Sequence, residues 1–124
     1  MDFLIVPADQ PEWTVSDAEM RQALLSRWPD VGLYGTRAES PMVLTAEVEY
    51  PQGTLQINLD KDGTMLSLDA PDIEAAADFA VWWGARAPGL EPDLRIYVTA
   101  DYSRSAPLSR EADPEALAAA LTYR

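Results

Sequence analysis

The chain contains neither cysteine nor histidine among its 124 residues. Without Cys there is no disulfide, no thiolate nucleophile and no Cys-based zinc site. Without His there is no imidazole base and no His metal ligand. Lysine is nearly missing as well: Lys61 stands alone beside eight arginines. In an exposed turn it is a poor candidate for a desolvated base or a Schiff-base lysine. Long apolar runs are also lacking. Phe3-Leu4-Ile5-Val6 is four residues long and follows Asp2, where a secretory leader would carry positive charge. No stretch approaches the roughly 20 apolar residues that span a bilayer. The cytoplasm is then the expected compartment by default.

What the chain has in surplus is acid. Its 21 Asp and Glu against nine Lys and Arg give a net charge of -12. Such a protein repels phosphate backbones and anionic lipid, so nucleic-acid and membrane partners are disfavoured. A basic protein is the favoured partner, although acidity also serves solubility alone. Apolar residues make up 48% of the chain, enough for a real core and too many for a disordered acidic tail. The length suits a single globular domain over residues 1–124, with no internal repeat. The 19 Ala and eight Arg suggest a high-GC bacterial coding sequence.

Periodicity supplies the elements. Ser16-Asp17-Ala18-Glu19 fits a capping box, and Met20, Leu24 and Trp28 then fall on one stripe. This predicts a helix over about 17–28, ended by Pro29. A short strand is possible at Val31–Tyr34. Residues 42–50 alternate, with Leu44, Ala46, Val48 and Tyr50 on one side. Leu55, Ile57 and Leu59 alternate after the Pro51-Gln52-Gly53 turn. Thr64–Leu68 follows the turn Asp60-Lys61-Asp62-Gly63. These three strands read as an antiparallel meander with one polar face. A helix to about Arg86 comes next, with Asp69 as N-cap and Pro71 in its first turn. Small residues sit at the centre of its apolar face. Leu94, Ile96 and Val98 alternate in a fourth strand. Residues 100–112 read as loop or as an irregular edge strand near Ala106–Leu108, and Asp113-Pro114-Glu115 opens a last helix. The expected fold is α+β: an antiparallel sheet of about four or five strands with helices on one face.

Asn58-Leu59-Asp60-Lys61-Asp62-Gly63 carries the sharpest motif. Aligned to a calcium-binding loop, Asn58, Asp60 and Asp62 fall at ligand positions 1, 3 and 5, and Asp69 at position 12. Against it, position 1 is Asn, position 12 is a short Asp, and the flanking segment reads as strand. A hairpin turn favours Asp and Gly for backbone reasons alone. Glu47 and Glu49 share a strand face roughly 7 Å apart, a spacing that acid–base pairs use and that any solvated strand also produces. Gly32 and Gly35 lack the rest of a phosphate-binding fingerprint. Ser103, Ser105 and Ser109 lie near Arg104 and Arg110 without an activating base, and Arg104 is expected to ion-pair at the surface.

Trp28 and Trp83 fall on apolar stripes and are expected in the core. Trp82 falls opposite Ile73 and Ala80, near Asp78 and Glu74, which suggests an exposed anchor unless another element covers it. Trp13 and Tyr102 lie in expected loops. The reading is a non-enzymatic, acidic protein-binding module of immunity or antitoxin type. Its candidate partner-binding residues are Trp82, Asp78, Glu74 and Tyr102. It would act as a monomer or homodimer and need no cofactor. The alternative is a small carboxylate- or divalent-metal-dependent enzyme.

Overall fold

A computed structural model describes residues 1–7, 14–35, 39–86, 94–108 and 113–122, apart from the side chain of Tyr102. The described elements are β1 (Asp2–Pro7), α1 (Asp17–Arg27), β2 (Gly32–Gly35), β3 (Met42–Tyr50) and β4 (Gly53–Asp60). They continue with β5 (Leu66–Asp69), α2 (Ile73–Arg86), β6 (Leu94–Val98), β7 (Asp101–Leu108) and α3 (Pro114–Thr122). The class is α+β, but the sheet has seven strands rather than four or five, in the order β2-β3-β4-β5-β1-β6-β7. Every neighbouring pair is antiparallel.

The expected meander lies within β2 to β5, with β2 added at one end. The larger correction is β1. Phe3-Leu4-Ile5-Val6 looks too short to matter, yet it forms an interior strand, fifth of the seven. Phe3 pairs with Leu68 on one side and Val98 on the other. The segment after the fourth predicted strand is a full edge strand, β7, which carries Pro107 on a strand where one missing N–H is tolerated.

The sheet's pleat sorts its side chains. Phe3, Ile5, Leu44, Ala46, Val48, Leu55, Ile57, Leu59, Leu66, Leu68, Leu94 and Ile96 are buried on one face. Met20 and Leu24 of α1, Phe79 and Trp83 of α2, and Leu117 and Leu121 of α3 join them in one core cluster. All three helices therefore cover the same side. Buried Ala76, Ala77 and Ala80 let α2 lie close on the sheet.

Local chemistry sets the boundaries. The capping box forms: the Ser16 hydroxyl accepts from the Glu19 N–H at 3.1 Å, and the Glu19 carboxylate accepts from the Ser16 N–H at 2.9 Å. For α2 the N-cap is Asp72, not Asp69; its carboxylate accepts from the Ala75 N–H at 2.9 Å. Pro71 thus precedes the helix, and Asp69 closes β5. Asp113 caps α3 in the same way, on the Ala116 N–H. Gly63 turns the β4–β5 hairpin at φ +72°, and a Cβ there would sit 2.3 Å from the Val15 carbonyl oxygen. That close approach carries a hydrogen bond, Val15 N–H to the Gly63 carbonyl at 2.8 Å, which ties the hairpin to the entry of α1.

Candidate functional site

The end of α1 meets α2 and the β3–β4 hairpin in an aromatic cluster. Trp28 caps the helix at its C-terminus, where its backbone N–H still reaches the Leu24 carbonyl. Its ring stands edge-on to Trp82 at 4.8 Å between centroids and stacks near Phe79 at 6.1 Å. Arg27 lays its guanidinium over the Trp28 ring, 4.4 Å from the centroid, and donates to Asp78 Oδ2 at 2.8 Å. The Tyr50 hydroxyl donates to the same oxygen at 2.7 Å. Burial pushes the Tyr50 phenol well above the usual tyrosine range. The hydrogen bond to Asp78 and that carboxylate's charge push the same way, while Arg27 opposes them.

A shallow groove opens beside this cluster, lined in part by Trp28, Glu49, Tyr50, Glu74 and Asp78. Two of the sequence-derived candidates, Asp78 and Glu74, therefore share one surface. Trp82 does not line it. Trp82 is half-buried, and Arg27 and Arg86 lie over its ring at 5.9 and 6.0 Å. A helical wheel shows Trp82 only its own helix, with Asp78 and Glu74 nearby. The cover comes from Trp28 and Arg27 at the end of α1 and from Arg86 of α2 itself. Tyr102 belongs to β7 at the opposite edge of the sheet, away from the groove. Trp13, Ser109 and Arg110 lie outside the described residues.

The calcium-like motif is built as a hairpin. Asp60 accepts from the N–H groups of Thr64 and Met65 at 2.9 and 3.1 Å, so its carboxylate closes the turn. Asn58 accepts from the Thr45 hydroxyl across the β3–β4 ladder at 2.7 Å. Asp62 is exposed in the turn, and Asp69 lies 3.8 Å from the N-terminal ammonium. Among the described residues no three Asp or Glu side chains converge as metal ligands would.

The other pairings are local. Glu49 accepts from the Thr54 hydroxyl, and Glu47 stands opposite Gln56. Among the described residues Arg104 donates to the Leu121 carbonyl at 2.8 Å, satisfying the end of α3. Ser103 donates to Asp101 at 2.6 Å, and this hydroxyl, ahead of the Ser103 backbone N–H, holds the Asp101 carboxyl below its ordinary value. Ser105 accepts from Arg95.

Sequence reasoning missed Arg27, because the partner it needs lies 51 residues away. The three described helices pack on one face of the sheet. The side chains opposite the core include Glu47, Gln56, Asn58, Ser67, Asp69, Asp2, Leu4, Val6, Arg95 and Tyr97, and no described helix packs on them. Among the described residues no helix is long and apolar enough to cross a membrane. No protein-family model, no curated protein and no solved structure matches this chain.

Proposed function

We propose that this protein is a non-enzymatic binding module that docks a basic protein, in the manner of an immunity or antitoxin protein. One observation carries the reading. The corner formed by Asp78 and the Trp28 ring already seats a cation, the guanidinium of Arg27. Glu49 and Glu74 extend the same wall of the groove toward solvent and give it an excess of carboxylates over cations. A partner's arginine placed against Glu49 and Glu74, beside the seated Arg27, meets charge for orientation. The surplus acid of the whole chain steers such a partner inward from a distance.

The test is a titration with hexa-arginine followed by tryptophan fluorescence, since Trp28 lines the groove. Saturable binding is expected at low salt. It should weaken as the Debye length falls from about 30 Å at 0.01 M to about 8 Å at 0.15 M. Glu74→Lys should lower the affinity by about tenfold, the loss of one close charge pair and the gain of a repulsive one. A flat titration at low salt, or a Glu74→Lys protein that binds as well as the parent, overturns the proposal.

A further inference from the structure

The face of the sheet that no described helix covers has the make-up of a second docking surface. It carries apolar residues: Leu4 and Val6 of the interior strand β1 are half-buried and lie on the side away from the core. Leu4 pairs across the ladder with Tyr97, and the same lateral row continues through Ser67, Asn58 and Thr45 to Tyr34. Tyr34 is 52% exposed. Leu4 and Val6 stand side by side on one interior strand, where a solvated sheet face more often carries polar residues.

A second lateral row, one pleat further along, is acidic. Glu47, Gln56, Asp69 and Asp2 are consecutive cross-strand neighbours over β3, β4, β5 and β1. Asp2 directly opposite Asp69 sets like charges side by side, a destabilising arrangement that the N-terminal ammonium 3.8 Å from Asp69 partly offsets. Arg95 is the cation on the described part of this face, beside Val6. An apolar patch with a charged border is the anatomy of an interface.

The charge selects the occupant. A second copy would bring together two chains that each carry a net charge of -12. A basic partner meets complementary charge instead. We infer that this face of the sheet, with Leu4 and Val6 on its interior strand and Glu47, Asp69 and Asp2 along its border, docks an amphipathic basic segment of a partner protein. This surface lies on the far side of the sheet from the helices. It rests on the reading of a basic partner but not on the groove.

The probe is a twelve-residue peptide of alternating Lys and Leu, compared with one of alternating Lys and Ser, at 0.15 M salt. Binding is mapped by amide chemical shifts of the whole chain. The Lys-Leu peptide should bind at least about tenfold tighter, because only it covers the apolar patch. Shifts should concentrate in β1, β4, β5 and β6. Glu47→Lys and Leu4→Thr should each weaken binding about fivefold or more. Glu115→Lys, the same change in net charge at an exposed site on α3, should weaken it less than about twofold, since distant exposed charges are screened. Equal effects of the two charge reversals, or equal affinity of the two peptides, overturn the inference. Shifts confined to the groove of Glu49, Glu74 and Asp78 overturn it too, and leave the basic-partner reading standing. If neither these peptides nor hexa-arginine binds, both fall.

Discussion

Trp82 shows how one residue changes meaning between a helical wheel and a packed structure. On α2 alone it points away from the apolar stripe. In the fold it touches Trp28, Phe79 and Trp83, with ring centroids between 4.8 and 6.1 Å. Removing it would empty the middle of that cluster and loosen the end of α1. Trp82→Ala is therefore expected to destabilise the protein by about 2–3 kcal/mol, below the range for a fully buried aromatic because the ring keeps some exposure. Urea unfolding would measure this, and a change under about 0.5 kcal/mol would place Trp82 among ordinary surface residues. The two guanidiniums over its ring also make it a poor landing point for a basic partner, which is why Glu74 and Glu49 bear more weight at that surface.

At the scale of elements, the sheet has a centre and two edges, and substitutions should feel the difference. Ile5 is 1% exposed and sits on β1, hydrogen-bonded on both sides. Ile5→Ala is expected to cost about 3–4 kcal/mol. Tyr34→Ala, on the exposed edge strand β2, is expected to stay within about 0.5 kcal/mol of the parent. Comparable losses at the two sites would contradict the strand order. These elements were unequally legible in the sequence. The Ser16–Glu19 capping box and the alternation of residues 42–50 and 54–59 are local patterns, and local patterns survive folding intact. β1 was hidden because an interior strand paired on both edges reads as a short unbroken apolar run, without the alternation that marks a strand. In the candidate site, Asp78 and Glu74 were legible as neighbours on a wheel. Arg27 and Trp28 were not, since only tertiary packing brings α1 across α2.

For the molecule as a whole, titration behaviour follows from composition and from one half-buried phenol. With no His, stability is expected to be nearly level from about pH 6 to 8. Tyr50 sets the alkaline limit. Its phenol holds its proton more tightly in the folded chain than in the unfolded one. Below about pH 10 both states keep the proton, and the Tyr50–Asp78 bond contributes in full. Above that, the unfolded chain ionises first, so folding loses stability by up to about 1.4 kcal/mol per pH unit from this group. Tyr50→Phe should be less stable at pH 7, having lost a donor to Asp78, and should decline less steeply above pH 10. Denaturation series at fixed pH values would show it; identical alkaline slopes would remove Tyr50 as the cause.

The position of β1 also governs time. Phe3 must find Leu68 and then Val98 before the sheet is continuous, so the two halves of the molecule are joined by contacts between residues far apart in the chain. Loop closure over such distances is entropically slow, and proteins dominated by it fold in milliseconds to seconds rather than microseconds. On the ribosome the β3–β4 hairpin can form as soon as it emerges. β1 has to wait for β6. Until then β1 keeps one edge unpaired, and that edge is where a nascent chain of this protein is most open to mispairing or to capture by a chaperone.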